Sequence, residues 1–286
     1  MFCVIIVIDK MTMISKNIRT LGEAGSSLLT NLSIQGKRLF TFQQAAKAYG
    51  NNGGSLRELL SKLVKRGWLQ RIEKGKYLIL PFEAGREGEW AEHEFIIASN
   101  LIEPYYIGFR SALSYYGYTE QTSRTVFVVS TNRKLKPTLE VSGVVYQFVC
   151  ISKHKFFGTT EINLSGYPII ISEREKTIVD CLDRLEYCGG VAEVAKALFY
   201  GHGELDFAKI AKYAQKNGNK AVSQRLGYLI ETLNLGTDDT IAILSEGLSN
   251  SYAQLDTLGN PKGKYLKRWK VIMNTPENEL LQWRVP

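Results

Sequence analysis

The stretch from Thr41 to Leu80 restricts the fold of this chain more than any other. Helix, glycine-rich turn, helix and short hairpin follow one another there in the order of a winged helix-turn-helix. Glu23 to Ser33, just upstream, places Ala24, Leu28, Leu29 and Leu32 at helical spacing. Thr41 is placed to cap a second helix, Phe42 to Tyr49, which Gly50 stops. The turn Gly50-Asn-Asn-Gly-Gly54 accepts positive φ readily, and Ser55-Leu-Arg-Glu58 reads as a capping box opening a third helix. In that helix Leu56, Leu59, Leu60, Leu63 and Val64 form one apolar face, with Arg57, Ser61, Lys62 and Lys65 opposite. Gly67 ends it. Two β-prone runs, Trp68 to Ile72 and Tyr77 to Leu80, are joined by Glu73-Lys-Gly-Lys76 as a hairpin with a basic tip.

Charge singles out the same module. From Asn31 to Leu80 there are ten basic residues and two acidic ones, a balance of +8 that equals the formal net charge of the whole chain. The rest is neutral in sum, so the imbalance sits where a contact to phosphates would need it. A helix buried on one side and basic on the other fits a major groove about 12 Å wide. Arg57, Ser61 and Lys65 are expected at base edges, and Lys62, Arg66, Arg71, Lys74 and Lys76 at phosphates of double-stranded DNA. Asn52 in the turn and Ser55 at the helix start complete the predicted contact set. The alternatives are a merely solvated basic face and a winged module that binds protein.

Pro81 to Glu89 is rich in glutamate and glycine and reads as a linker, giving a winged domain over 20–82 and a larger domain over 83–286. Helical patterns over Glu89–Asn100 and Gly108–Tyr116 precede β-prone runs at Thr125–Val129, Gly143–Ile151 and Tyr167–Ile171. Helices return at Ser172–Leu185, Val191–Phe199, Asp206–Lys216 and Lys220–Leu235. Strands grouped before helices indicate an α+β fold rather than a doubly wound sheet. Cys3, Cys150, Cys181 and Cys188 lack disulfide or zinc spacing, which fits a reduced, cytoplasmic protein. The apolar start, Met1 to Ile8, falls short of the roughly 20 residues that span a bilayer and lacks a basic region before it. Translation from Met11 or Met13, or an added strand, would account for it, and no membrane association is expected.

Catalytic signals are sparse. Glu173, Glu175, Lys176 and Asp180 could form a nuclease-type carboxylate and lysine set, but Lys176 and Asp180 are also spaced as a structural i, i+4 ion pair, which is the preferred reading. His93, His154 and His202 lie far apart without a nucleophile motif, and the glycine turn lacks the Lys-Ser/Thr of a P-loop. No metal, cofactor or catalytic activity is expected. The aromatics Tyr105, Tyr106, Phe109, Tyr115, Tyr116 and Tyr118 read as core rather than as base-stacking platforms. Lys262, Lys264, Lys267, Arg268 and Lys270, with Tyr265 and Trp269, form a second basic cluster. It is a candidate contact surface for DNA flanks, RNA or a protein, or else a solvated hairpin.

Four blocks resemble the AbiEi antitoxin family. They are Lys65-Arg-Gly-Trp-Leu69 with the wing Lys74-Gly-Lys-Tyr77; Tyr106-Ile-Gly-Phe-Arg-Ser-Ala-Leu-Ser-Tyr-Tyr-Gly117 with Glu120-Gln121 and Thr125 to Ser130; Ser172 to Asp180 with Leu182-Asp-Arg184 and Gly189-Gly190; and Gly263-Lys-Tyr265 with Arg268-Trp269 and Asn274. The second and third blocks are the specific ones, since many regulators share a winged module. The resemblance implies the antitoxin of a type IV, abortive-infection pair active in phage defence. Its winged helix would bind inverted repeats at its own promoter and repress transcription. Its C-terminal domain would counter a nucleotidyltransferase-like toxin without a stable complex. The alternative from another class is a winged-helix transcription factor whose C-terminal domain senses a ligand or partner; a nuclease using Asp180 is a third.

Overall fold

The computed structural model describes residues 21–50, 53–80, 93–120 and 124–284. The chain divides into two compact units, Met1–Glu92 and His93–Pro286. The linker read at Pro81 to Glu89, the apolar start and Asn52 lie outside the described residues.

Among its described residues the first unit has the helices α1 (Glu23–Ile34), α2 (Phe42–Tyr49) and α3 (Gly54–Lys65), and the strands β1 (Leu39–Thr41), β2 (Leu69–Glu73) and β3 (Lys76–Ile79). Leu28, Leu29 and Leu32 of α1 meet Leu56, Leu60 and Leu63 of α3 in one core with Phe40, Ala45, Trp68 and Leu69. Leu59 and Val64 flank that face half-buried, so the apolar stripe read from the sequence is a buried centre with two shoulders. The strands form an antiparallel sheet in the order β1-β3-β2, with Phe40 opposite Tyr77 and their rings stacked at 5.7 Å. β1 escapes sequence reading because three residues show no period; only pairing with β3 defines it.

The expected capping box at Ser55 and Glu58 does not form. Gly53 takes the capping position and no side chain caps the helix there. Ser55 is already inside α3, where its hydroxyl cannot reach back to cap the first turn. Glu58 pairs instead with Lys62 one turn on, at 2.7 Å. Thr41 does cap α2 as expected: its hydroxyl accepts from the Gln44 amide at 3.2 Å, and its amide donates to the Gln44 side chain at 2.7 Å. Thr41→Ala is expected to cost about 1 kcal/mol. A urea midpoint followed on the winged unit's own signal would check this, and an unchanged midpoint would show the cap to be idle.

The second unit contains α4 (Glu94–Ala98), β4 (Tyr106–Ile107), α5 (Phe109–Tyr115), β5 (Thr125–Ser130), β6 (Thr138–Val141), β7 (Val144–Cys150), β8 (Thr159–Leu164) and β9 (Tyr167–Ser172). Helices α6 (Arg174–Asp183), α7 (Val191–Tyr200), α8 (Phe207–Asn217), α9 (Lys220–Leu233) and α10 (Asp238–Glu246) follow. β10 (Ala253–Gln254), β11 (Lys264–Leu266), β12 (Val271–Met273) and α11 (Glu277–Leu280) end it. The main sheet runs β6-β7-β5-β4-β9-β8, mixed in direction, with β5 parallel to β7 and β4 parallel to β9. α+β is therefore the observed class. The described part of the helix expected over Glu89–Asn100 is the short α4, and β4, β6, β8 and α10 were not foreseen. A second sheet, β10-β12-β11, comes after the helices, so the simple order of strands before helices breaks at the C-terminal end.

The core of this unit joins Phe109, Leu113, Val129, Ile178, Val179, Leu182, Val194, Leu198, Leu226 and Leu229. Tyr106, Phe109 and Tyr118 are buried in it and Tyr116 is half-buried, as the core reading of that aromatic run required; Tyr115 alone is exposed. Gly108 has no room for a side chain, because a Cβ there would lie 2.9 Å from Val129 and 3.0 Å from the Tyr106 ring. The small sheet docks on α9 at Gly227, where a Cβ would fall 2.2 Å from the Trp269 ring. Gly227→Ala is expected to force the ring away and cost at least about 1–3 kcal/mol, as overpacked cores do. A denaturation midpoint equal to that of the parent chain would refute this packing.

Candidate nucleic-acid interface

The exposed side of α3 and the wing carry the predicted contacts. Ser55, Arg57, Ser61, Lys62, Lys65 and Arg66 are all exposed along α3 and its end. They face outward because Leu56, Leu60 and Leu63 turn the other side into the core. The Arg57 guanidinium lies 5.7 Å from the Phe42 ring centre, which steers it across the start of α2. On the wing, Arg71 and Lys74 are exposed, and Arg71 Nε donates to the Glu73 carbonyl at 3.4 Å. Gly75 has φ +77° at the tip, a conformation that favours glycine and lets the two strands close over Lys74 and Gly75.

The basic residues differ in how far they are already neutralised. Lys62 is paired with Glu58, whose carboxyl the lysine's hydrogen bond and charge hold below the usual range. Lys76, half-buried, is paired with Glu73 at 3.4 Å. Lys65 and Lys74 have no acidic partner among the described residues. Arg38 and Lys47, outside the predicted set, are exposed as well. They were missed because they belong to the β1 flank and the last turn of α2 rather than to the helix with the clear pattern.

The second basic cluster is split by the fold. Lys262, Lys264 and Lys267 are exposed, and Lys270 lies with its ammonium 5.3 Å above the Tyr252 ring. Arg268 is exposed but committed, since it pairs with Glu231 on α9. Trp269 is buried and donates Nε1 to the other oxygen of the same carboxylate at 2.5 Å. Burial pushes the Glu231 carboxyl up, but these two donors outweigh it and hold it below the usual carboxylate range. Arg268 and Trp269 thus fasten the small sheet to α9.

The candidate nuclease residues do not converge. Glu173 and Glu175 both bind Lys209, at 3.0 and 3.1 Å, and Glu173 accepts from Tyr213 at 2.8 Å. Lys176 and Asp180 pair with each other deep in the core, where the Tyr106 hydroxyl donates to Asp180 at 2.8 Å. Burial pushes the Asp180 carboxyl up against the opposing pull of Lys176 and Tyr106. Among the described residues no group of three His, Cys, Asp or Glu side chains could hold a metal ion. The same triad ties together the two most specific sequence blocks, Tyr106 from one and Lys176 and Asp180 from the other. Two further bonds join the blocks or their flanks: Tyr116 donates to the Ser172 carbonyl at 2.7 Å, and Thr119 to Glu193 at 2.9 Å.

No helix among the described residues is long and apolar enough to cross a membrane. No curated protein sequence matches this chain. The fold is similar to the crystal structure of the RV2827C protein from Mycobacterium tuberculosis, with a TM-score of 0.65 at 15% identity over 94% of this chain and 97% of that one. The winged module carries the family signal: residues 27–79, α1 through the wing, match the family described as transcriptional regulator, AbiEi antitoxin.

Proposed function

We propose that this chain is the antitoxin of a type IV, abortive-infection toxin–antitoxin pair and the repressor of its own operon. The observation that carries the reading is the basic, outward ridge of α3 and the wing inside the segment that matches the antitoxin regulator family. The α3 ridge enters the major groove of an inverted-repeat operator, with Arg57, Ser61 and Lys65 at base edges. The wing lays Arg71, Lys74 and Lys76 along the phosphates beside it. The C-terminal unit counters a nucleotidyltransferase-like toxin without a stable complex and without catalysis of its own.

The test is co-expression of the intact chain with the protein encoded immediately downstream, beside a reporter driven by the operon promoter. The intact chain restores growth and silences the reporter. A chain with Arg66, Arg71 and Lys74 replaced by alanine restores growth but leaves the reporter on. Failure of the intact chain to restore growth would overturn the antitoxin reading, and a reporter silenced equally by the variant would overturn the assignment of the wing.

A further inference from the structure

The outward face of the small C-terminal sheet carries an aromatic pair among lysines. Its register puts Tyr265 opposite Ile272, and Gln254 beside Ile272, so these side chains share one face. Leu266 and Val271 lie on the other face, toward the core, where Val271 is fully buried. Tyr252, two residues before Gln254, falls on the outward face by the alternation of a strand. Its ring meets that of Tyr265 at 5.0 Å and 73°, edge to face. Tyr265 is nonetheless 62% exposed, although such a ring would normally be at least half covered in a core. Lys262, Lys264 and Lys267 surround it, exposed and with no ion pair among the described residues, and Lys270 stands over Tyr252.

We propose that this face binds single-stranded RNA, with an unpaired base stacked on Tyr265 and the neighbouring phosphates held by Lys262, Lys264, Lys267 and Lys270. Two features select a single strand over a duplex. A tyrosine ring recognises the flat face of a base, which a duplex hides in its stack. The Tyr252 edge and the Lys270 cation hold the ring system in place, so little freedom is lost when a base lands on it. RNA is the single strand chosen, because loops and ends with splayed bases are the usual target of aromatic platforms of this kind. The acidic protein surface that could satisfy the lysines would leave the exposed ring unused. Arg268 takes no part, being held by Glu231.

The experiment is fluorescence anisotropy of the full chain with a labelled oligouridylate about twelve nucleotides long, against an oligodeoxythymidylate of equal length. Saturable binding to the RNA is expected, tighter than to the DNA. Tyr265→Ala weakens it roughly tenfold or more, and Tyr265→Trp restores it. Lys264→Gln with Lys267→Gln lowers the salt slope by about 1.4, two single-strand phosphates' worth. All of these positions are exposed, and circular dichroism together with unchanged affinity for duplex operator confirms that each variant is folded. Absence of saturable binding, indifference to Tyr265→Ala, failure of Tyr265→Trp to restore it, or equal affinity for the DNA strand would each overturn the proposal. Loss of toxin rescue by Tyr265→Ala in a chain that binds no RNA would overturn it too and mark the face as a protein-docking surface.

Discussion

Replacing Arg66, Arg71 and Lys74 together with alanine is expected to lower the affinity of the full chain for duplex DNA about a hundredfold near 0.15 M salt. Each phosphate contact on B-DNA releases about 0.9 of a counterion, so three lost contacts reduce the slope of log affinity against log salt by about 2.7. The loss should fall alike on operator and random duplex, because phosphates carry no sequence information. Arg57→Ala should behave differently, weakening operator more than random DNA by about 1–3 kcal/mol if it forms a bidentate contact to a base. The structure also ranks the lysines. Lys62 and Lys76 already face Glu58 and Glu73, so their removal should matter less than removal of Lys74, which has no acidic partner among the described residues. Titrations in a gel-shift or anisotropy assay at several salt concentrations read all three expectations. A triple variant with the parent's affinity and slope would mean that this ridge does not meet DNA.

The second large effect concerns stability. Lys176 is fully buried and Asp180 nearly so, paired one helical turn apart, with the Tyr106 hydroxyl donating to the same carboxylate. The rings of Tyr106 and Phe157 stand 5.6 and 4.8 Å from the ammonium. Removing one member strands the other in a medium that solvates charge poorly. Lys176→Met and Asp180→Leu should each cost about 3–5 kcal/mol, a large share of the roughly 5–15 kcal/mol that holds a typical domain folded. The double variant should recover much of that loss, because two apolar side chains replace a pair whose desolvation offset most of its attraction. Urea unfolding of the four chains gives the coupling directly. Single variants within about 0.5 kcal/mol of the parent, or a double variant as unstable as the sum of the singles, would contradict a buried, mutually dependent pair. Tyr106→Phe should cost less, since it removes the hydroxyl's bonds to Asp180 and Lys176 but leaves the ion pair.

Local signals in the sequence are legible where one segment carries its own pattern. The stripe of α3 is visible because one face must be buried for the helix to persist, and that demand repeats every three to four residues. The Thr41 cap is visible because its partner, Gln44, is three residues away. The Ser55 cap was misplaced for the same reason in reverse. Glycines at 53 and 54 let the helix start two residues earlier than the polar signal at Ser55 indicates, so Ser55 and Glu58 fall inside the first turns instead of capping them. β1, β4 and β11 are two or three residues long and are defined only by pairing, β1 with β3, β4 with β5 and β9, and β11 with β12, so no local pattern announces them.

What the sequence alone determined is the winged module: its helices, its hairpin and the location of the charge, since each depends on neighbours within a few turns or a tight loop. What only the tertiary structure decided is how distant side chains divide their partners. Lys176 and Asp180 meet Tyr106 across seventy positions or more. Arg268 leaves the basic tail for Glu231, 37 residues away. Tyr252 and Tyr265 become one surface through the pairing of three short strands. These choices rest on chain crossings that place charges and rings within a few ångströms, where desolvation and contact energies act, and separation along the chain holds no record of them.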